Sequence, residues 1–369
     1  MAAGLYLHIP FCRIKCQYCD FYSITDASLI KAFLGALEQE ILLVQSCHPQ
    51  YDTLYLGGGT PSLLSPQDLE TLFRLIYRHF TITGDAEITL ETNPDDVTEE
   101  KLLLWRHLGV NRLSLGVQSF KDAELRFLGR RHDAAQARLA LALAREQGFD
   151  NLSVDLMYAL PGQTWTGWLA SLKEAAAYQP EHLSCYQLTI ADSTPLGKKL
   201  ARGEFAASGE EEQRALFLGT SEFLESQGYS HYEVSNFARG ERYFSRHNRK
   251  YWEHVPYLGL GPGAHSFDGR RRRWNVAAVE EYCRRLGEGR APVAGSEVLS
   301  DSQLRLEALA LGLRTRWGVV LAELGHFPQA LQFLAGLEQG GLVTLEQDRI
   351  CPTRAGFLVA DSLAFMLSE

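Results

Sequence analysis

Short runs rich in β-branched, leucine and aromatic residues alternate with longer amphipathic runs through the first 230 residues. The β-rich runs are 5–9, 52–56, 87–91, 112–117, 152–158 and 183–190. Most read as nearly continuous apolar segments, which is typical of parallel strands buried on both faces. The amphipathic runs are 28–46, 66–79, 98–108, 133–147, 165–178 and 210–227. Six β–α units in succession predict a parallel sheet with right-handed crossovers, either partly closed into a barrel or open and doubly wound.

The alternation stops after residue 230. Residues 231–295 are punctuated by glycine and predict irregular structure with added strands. From Ser300 the sequence predicts a helix, a second helix over 328–339, a short β-hairpin and a final helix. Helices followed by a hairpin indicate a small winged-helix-like domain. The predicted organisation is therefore a β/α domain over 1–230, a connecting segment over 231–299 and a C-terminal domain over 300–369.

Charge and hydropathy exclude several classes of protein. The formal net charge is −9, so no global basic field attracts nucleic acid or an anionic membrane. A winged-helix-like domain can bind DNA, but residues 300–369 contain no lysine, and acidic residues outnumber arginines there. We therefore expect no nucleic-acid partner and assign the domain a packing or docking role. No apolar run approaches the ~18 residues of a membrane span.

The N-terminal stretch MAAGLYLHIPFC lacks the pattern of a signal peptide, so we expect the chain to work in the reducing cytoplasm. In that compartment, clustered cysteines more often bind metal or perform redox chemistry than form structural disulfides. Four of the seven cysteines are widely scattered and are interpreted as core or surface residues: Cys47, Cys185, Cys283 and Cys351.

The other three cysteines, Cys12, Cys16 and Cys19, follow the first predicted strand with the spacing C-x3-C-x2-C. This spacing would also fit a helix face with buried thiols, but Pro10 and the neighbouring aromatic residues favour a loop wrapped around a ligand. Zinc would want four ligands, and no second cysteine pair exists, although His8 could complete a site in principle. A 4Fe-4S cluster normally takes four thiolates. Three would leave one iron open, which a catalytic cluster needs.

This cysteine motif after a first strand resembles the signature of radical S-adenosylmethionine (SAM) enzymes. The resemblance implies an α/β fold with a partial (β/α)6 barrel, and a 4Fe-4S cluster held by Cys12, Cys16 and Cys19. It also implies that the amino and carboxylate groups of SAM bind the open iron. The cofactor would then supply the chemistry, and the protein would orient it.

Glycines and polar residues follow several predicted strands. Gly57-Gly58-Gly59-Thr60-Pro61 follows the second strand, where glycine lets the backbone approach a ligand closely. Glu91 and Gln118 end the next two strands, and Asp155 lies within an otherwise apolar strand. Because a buried carboxylate needs a partner or a ligand, three such residues converging on one barrel mouth indicate a binding site.

The motifs YLHIPFC, YLGGGTPS, ETNP, SLGVQSF, LGRRH and DLMYALPGQT resemble the oxygen-independent coproporphyrinogen III oxidase subfamily of the radical SAM enzymes. The resemblance runs from about residue 4 to the C-terminus. It implies SAM contacts at Tyr6, Tyr18, Gly58, Gly59, Thr60, Glu91, Gln118, Arg130 and Asp155. It pairs Arg130 with the SAM carboxylate, which suits the guanidinium fork.

Two departures from the oxidase favour the heme chaperone branch of this subfamily. The oxidase has a fourth cysteine two residues after the third, where this chain has Phe21, and it also has a long N-terminal extension. The chaperone branch shares the HNxxYW motif, present here as residues 247–252. In that motif His247 would be an axial ligand to heme iron, and Tyr251 and Trp252 would offer flat faces to a porphyrin.

The leading hypothesis is a heme chaperone that binds heme, a 4Fe-4S cluster and SAM, and that transfers heme to apo-haemoproteins such as membrane respiratory enzymes. No residue is assigned a catalytic role. Reduction of the cluster would require an electron donor, for which a flavodoxin or ferredoxin is suited. The alternatives are oxidative decarboxylation of coproporphyrinogen III, and a related radical SAM methyltransferase or cyclopropanase that uses two SAM molecules.

Overall fold

The structure is a computed structural model that describes residues 2–326 and 330–368. The strands are β1 (Ala3–Ile9), β2 (Tyr51–Gly58), β3 (Ile82–Thr92), β4 (Arg112–Gln118), β5 (Leu152–Tyr158), β6 (His182–Gln187), β7 (Ser230–Glu233), β8 (Asn236–Ala238), β9 (Tyr257–Leu260), β10 (His265–Phe267), β11 (Arg271–Asn275), β12 (Val293–Val298), β13 (Val319–Val320), β14 (Val343–Glu346) and β15 (Arg349–Pro352). The helices are α1 (Ile30–Val44), α2 (Pro66–His79), α3 (Glu99–His107), α4 (Asp122–Leu128), α5 (Ala134–Glu146), α6 (Trp165–Ala177), α7 (Pro195–Ala201), α8 (Glu210–Ser226), α9 (Arg246–Trp252), α10 (Val279–Gly287), α11 (Asp301–Gly312), α12 (Ala330–Gln339), α13 (Arg354–Leu358) and α14 (Ala360–Ser368).

Twelve strands form one sheet in the order β12-β11-β10-β9-β1-β2-β3-β4-β5-β6-β8-β7. Strands β1 to β6 are parallel, and each pairs with the next strand in the sequence. Every crossover connection therefore advances by one strand in the same direction across the sheet. A doubly wound sheet reverses direction at a switch point, whereas a barrel does not. The sheet stays open because β1 also pairs with β9, and β6 pairs with β8. The predicted partial (β/α)6 barrel is confirmed.

Helix capping explains why several predicted helix boundaries agree closely with the structure. Ser65 accepts a hydrogen bond from the backbone of Asp68, and proline occupies the first position of α2. Thr98 caps α3 in the same way, and Asp133 forms a capping box with Gln136 at the start of α5. The sequence analysis missed α4 and α7. Each has only seven residues, too few to show a helical period.

The segment over 231–295 is more regular than its sequence indicated. It contributes the predicted added strands, β7 to β12, and also two helices that were not predicted, α9 and α10. Helix α10 buries Val279, Tyr282 and Leu286, which are spaced at i, i+3 and i+7. Helix α9 carries the HNxxYW motif, so His247 lies on a helix packed against the sheet rather than on a loop.

The C-terminal region contains the predicted helix, hairpin and terminal helical segment. Helix α11 begins with a capping box at Ser300, and β14 and β15 form the hairpin beside β13. The terminal segment forms two helices, α13 and α14, rather than one. Residues 328–329 of the predicted helix over 328–339 lie outside the described residues, and α12 accounts for the rest. None of the helices in the described residues combines the length and hydropathy that a membrane crossing requires.

Candidate cluster and SAM site

The cysteine-rich loop is anchored to the barrel at both of its ends. The backbone amide of Cys12 donates to the carbonyl of Ile24 at 2.9 Å, and the amide of Ile24 donates to the carbonyl of Pro10 at 2.8 Å. The side chain of Phe11 is fully buried and packs edge-on against Phe33. The loop is therefore held in a fixed position beyond the end of β1, and the segment with the three cysteines is not helical.

Cys12, Cys16 and Cys19 all line one cavity of about 480 Å³ at the carboxyl ends of the parallel strands. All three residues are only partly exposed. Thr60 Oγ1 donates to Cys12 Sγ at 3.4 Å, and Arg130 Nη1 donates to Cys16 Sγ at 3.5 Å. Burial raises the pKa of the Cys19 thiol, and the other two sulfurs raise it further. A bound cation would favour the thiolates.

Among the residues that the structure describes, no three His, Cys, Asp or Glu side chains converge on a point that a single metal ion could occupy. A 4Fe-4S cluster is a larger group whose iron corners bind separate thiolates. The donor set of three cysteines around one cavity fits such a cluster with one iron corner left for another ligand.

The glycine-rich turn after β2 brings the cysteine loop close to the floor of the cavity. The amide of Gly59 donates to the carbonyl of Ile9, and the amide of Thr60 donates to that of Phe11, both at 2.8 Å. A Cβ atom on Gly59 would lie 2.7 Å from the Phe11 carbonyl oxygen, so only glycine fits. Gly58 has φ of 105°, which L-residues rarely adopt. These contacts fix the geometry between the turn and the cysteines.

Two partly buried carboxyl groups line the cavity. Glu91 accepts hydrogen bonds from Tyr55 Oη at 2.7 Å and from the Gly58 amide at 3.1 Å. Burial raises the pKa of Glu91 to about 7, with a further contribution from Asp155. Burial also raises the pKa of Asp155, which accepts from Ser114 Oγ at 3.1 Å. Both groups line the cavity and can accept hydrogen bonds from a ligand.

Arg130 and Gln118 complete the opposite wall. Arg130 Nη2 donates to Asn93 Oδ1 at 2.5 Å and to the carbonyl of Gly116 at 2.7 Å, which fixes the guanidinium beside Cys16. Gln118 ends β4 with φ of 64°. A non-glycine residue in this region costs about 1–3 kcal/mol, and such strain concentrates at functional sites.

The structure brings together eleven of the thirteen residues that the sequence analysis assigned to the site. The residues that line the cavity are Cys12, Cys16, Tyr18, Cys19, Gly58, Gly59, Thr60, Glu91, Gln118, Arg130 and Asp155. Tyr6 lies behind this wall. Its ring centroid is 6.1 Å from that of Tyr55, and its hydroxyl lies 3.1 Å from His8 Nδ1. Tyr6 therefore meets the cavity through Tyr55.

His247 also lies outside the cavity wall. Its side chain is 1% exposed, Nδ1 lies 2.8 Å from Thr53 Oγ1, and Nε2 lies 2.9 Å from Tyr251 Oη. Burial lowers the pKa of His247 to about 3, so the imidazole is neutral. Both ring nitrogens are engaged by hydroxyl groups. Heme ligation by this residue stays a prediction that requires both contacts to break.

Arg112 is a site residue that the sequence analysis missed. It is 2% exposed, lines the cavity, and its Nε has no hydrogen-bond partner in the described part of the chain. Its charge lowers the pKa of both Glu91 and Asp155. The signal was present in the sequence RLSLGVQ. Its alternate residues Arg112, Ser114, Gly116 and Gln118 are polar or small, and all four line the cavity.

Comparison with known proteins identifies the family. Residues 6–175 match the radical SAM superfamily, and residues 299–359 match the HemN C-terminal domain. The chain is 36% identical to heme chaperone HemW of Mycobacterium tuberculosis, with 98% of this chain and 93% of that protein covered. It is 34% identical to heme chaperone HemW of Bacillus subtilis, with 97% of each chain covered. The chain belongs to the HemW family of radical SAM proteins.

The chain is also similar to a eukaryotic protein and to a solved structure. A bovine mitochondrial protein, radical S-adenosyl methionine domain-containing protein 1, is 33% identical over 99% of this chain and 87% of its own length. The solved structure of coproporphyrinogen III oxidase (HemN) from Escherichia coli superposes with a TM-score of 0.87 at 26% identity. The superposition covers all of this chain and 90% of the oxidase chain. Membership of the radical SAM superfamily implies a 4Fe-4S cluster and SAM, and the donor set above fits them.

Proposed function

We propose that this protein is a heme chaperone that binds heme together with a 4Fe-4S cluster and SAM, and that transfers heme to apo-haemoproteins. The observation that carries the proposal is the similarity to proteins named heme chaperone HemW, which spans 98% of this chain at 36% identity. The side chain of Phe21 supports it. This residue lines the cavity and is 70% exposed, at the position where the oxidase has its fourth cysteine.

Cys12, Cys16 and Cys19 would bind three iron atoms of the cluster, and SAM would occupy the fourth iron and the remaining cavity. When bound, such a cluster would supply one-electron reduction chemistry towards SAM. Arg130 would pair with the SAM carboxylate, since its guanidinium is fixed by Gly116 and Asn93. Glu91 and Asp155 would accept from the ammonium and ribose hydroxyl groups. Tyr18, Gly58, Gly59, Thr60 and Gln118 would form the remaining contacts.

The arrangement is suited to holding and shielding cofactors. We propose no catalytic role, such as proton transfer to a porphyrinogen, for any described residue that lines the cavity. A one-electron donor such as a flavodoxin or ferredoxin would reduce the cluster, and respiratory enzymes in the membrane would receive heme. Thiolates that must stay reduced favour the cytoplasm as the working compartment.

A second candidate function is oxidative decarboxylation of coproporphyrinogen III. The TM-score of 0.87 against the E. coli oxidase over the whole chain favours it. Phe21 opposes it, since it removes the fourth cysteine of the oxidase motif.

The deciding experiment is an anaerobic titration of the reconstituted protein with hemin, followed by optical spectroscopy. A parallel reaction contains coproporphyrinogen III, SAM and a reductant, and is assayed for 5′-deoxyadenosine and for decarboxylated porphyrinogen. We expect saturable heme binding without porphyrinogen turnover. Turnover would reject the chaperone in favour of the oxidase, and the absence of both heme binding and turnover would reject both proposals.

A further inference from the structure

A second groove lies on the other side of helix α9 from the cluster cavity. It has a volume of about 650 Å³, which is within the range of roughly 300–1,000 Å³ typical of cofactor sites. Its walls come from the end of α9, from α11 and from the turn before β13. Asn248 of α9 lines the cluster cavity, whereas Arg249 and Trp252 line the groove. One short helix therefore separates the two spaces.

The walls of this groove combine aromatic rings with two arginines that form no ion pair within the described residues. Trp252 and Trp317 supply two indole rings. Arg305 is exposed and has no ion-pair partner among residues 2–326 and 330–368. Arg349 donates to the backbone carbonyls of Trp317 and Gly318 at 2.6 and 3.0 Å and forms no ion pair within the described residues, although Glu253 and Glu323 also line the groove. Two indole rings and two guanidinium groups without ion-pair partners complement a planar macrocycle that bears two carboxylates.

The groove also contains an imidazole that is suited to bind a metal. His254 follows the end of α9, is partly exposed and has φ of 52°. Its Nε2 lies 3.2 Å from Oε2 of Glu307, a contact that lacks the geometry of a hydrogen bond. Metal-ligating histidines commonly turn their second ring nitrogen towards a carboxylate.

We propose that this groove is the heme site, in which His254 would bind the iron and Arg305 and Arg349 would pair with the two propionates. The inference rests on the proposed function, since it names where that function's cargo binds. Heme and SAM then occupy different spaces on the two sides of α9, and both are bound at the same time.

The same geometry favours His254 over His247 as the ligand. Its imidazole is buried, and both of its nitrogens are within hydrogen-bond distance of hydroxyl groups, whereas no described side chain forms a hydrogen bond with Nδ1 of His254. Ligation by His247 would leave the Thr53 and Tyr251 hydroxyls unpaired in the interior. An unsatisfied buried group costs about 1–3 kcal/mol.

The first test titrates hemin into the full-length wild type and into the variants His254→Ala and His247→Ala. A third variant, His107→Ala, removes an exposed histidine far from the groove and measures nonspecific binding. We expect His254→Ala to weaken hemin binding at least ten-fold and to shift the Soret band, and free imidazole to restore the wild-type spectrum. We expect less than a three-fold change for the other two. Thermal unfolding of each variant shows whether it is folded.

The second test uses Arg305→Gln, which changes an exposed side chain and leaves the fold intact. We expect weaker binding of hemin but unchanged binding of hemin dimethyl ester, because the ester has no propionate charge. The matched control is Arg138→Gln, an exposed arginine outside the groove.

The outcomes separate this inference from the proposed function. If the wild type binds no hemin, the chaperone proposal itself fails. If the wild type binds hemin but His254→Ala keeps the same affinity and spectrum, or if SAM displaces hemin competitively, the groove is not the heme site and the chaperone proposal stands. If Arg305→Gln weakens the ester as much as hemin, the propionate assignment is wrong.

Discussion

At the scale of single residues, Cys12, Cys16 and Cys19 have different hydrogen-bond neighbours, although the sequence motif does not distinguish them. Cys12 accepts from a threonine hydroxyl, Cys16 from a guanidinium, and Cys19 from neither in the described part of the chain. The contact with Cys16 places the Arg130 guanidinium next to the cluster position.

Replacing Cys16 by serine should abolish the cluster, because a hydroxyl is a much poorer ligand for iron than a thiolate. We expect the reconstituted variant to lose the iron and sulfide content and the visible absorption of the wild type. Chemical analysis of iron and sulfide measures this. The matched control is Cys283→Ser, which changes a cysteine outside the cavity and should keep the full content. A variant that retains four irons per chain would contradict the assignment.

Replacing Arg112 by glutamine should weaken SAM binding about ten-fold at pH 7, which corresponds to about 1.4 kcal/mol. The Arg112 charge lowers the pKa of Glu91 and Asp155, so its loss leaves more of both carboxyls protonated and less able to accept hydrogen bonds. Raising the pH to 8.5 should therefore recover part of the affinity. Anaerobic calorimetric titration with SAM at both pH values measures the effect.

The control for this experiment is Arg138→Gln, which removes an arginine that pairs with Glu174 on the outer surface. It should bind SAM like the wild type. Equal affinity of Arg112→Gln and the wild type, at both pH values, would mean that Arg112 only fills space below the site.

At the scale of elements, a buried carboxyl group on α1 forms hydrogen bonds with the segment that extends the sheet beyond β1, which contains β9 to β12. Glu40 is 3% exposed and accepts hydrogen bonds from the Gly261 amide, from Asn275 Nδ2 and from Tyr282 Oη. These donors lie after β9, on β11 and on α10. One side chain thus joins α1 to three parts of the segment that the sequence had indicated as irregular.

Replacing Glu40 by alanine should lower the free energy of unfolding by about 3 kcal/mol at pH 5, because it leaves buried donors unpaired. Burial raises the pKa of Glu40 to about 7 from an ordinary value of 4.5. A raised pKa means that the contribution of the group is complete below pH 4.5 and declines as the pH rises towards 7. The difference between wild type and variant should therefore shrink by roughly 1–3 kcal/mol between pH 5 and pH 8.

Urea unfolding of both proteins at the two pH values measures this difference. Glu70→Ala, which changes an exposed glutamate on α2, should leave the stability within about 0.5 kcal/mol of the wild type at each pH. A difference that stays constant from pH 5 to pH 8 would instead show that Glu40 is ionised in the folded protein throughout this range.

At the scale of the whole molecule, the C-terminal region has a hydrophobic core of its own, and the aromatic side chains of Trp317 and Phe357 join it to the preceding part of the chain. Leu309, Leu313, Val343, Ile350 and Leu363 are among the members of the separate core. Phe357 of α13 instead belongs to the barrel core, where its ring lies 4.9 Å from His231. Arg314 pairs with Asp361 within the C-terminal region, while the amide of Val234 donates to the Arg314 carbonyl.

Replacing Phe357 by alanine should loosen the attachment of the C-terminal region, because the cavity left by a buried phenylalanine costs about 3–5 kcal/mol. We expect faster amide hydrogen exchange in residues 301–326 and 330–368 than in strands β1 to β6. Mass-spectrometric exchange measures both regions in one experiment. The control variant Leu345→Ala removes a side chain that is 42% exposed and should leave both rates unchanged. A uniform acceleration across the chain would indicate a single cooperative unit instead.

The sequence by itself determined the order of the parallel strands and most of the site. A continuous apolar run is typical of a parallel strand that is buried on both faces. Parallel strands joined by right-handed crossovers have their carboxyl ends at the same edge of the sheet. Residues that follow those strands, such as Gly59 and Glu91, must then meet. The cysteine spacing added the metal-binding chemistry. These features depend on local pattern and on one topological rule, so they can be read without coordinates.

Only the tertiary structure decided which residues meet away from the carboxyl ends of the parallel strands. His247 lies within a motif that suggested an accessible ligand, yet α9 packs it against Thr53, 194 positions away in the sequence. The groove beside His254 exists because α11 lies against the end of α9. Contacts between distant segments depend on packing, and no local pattern encodes them.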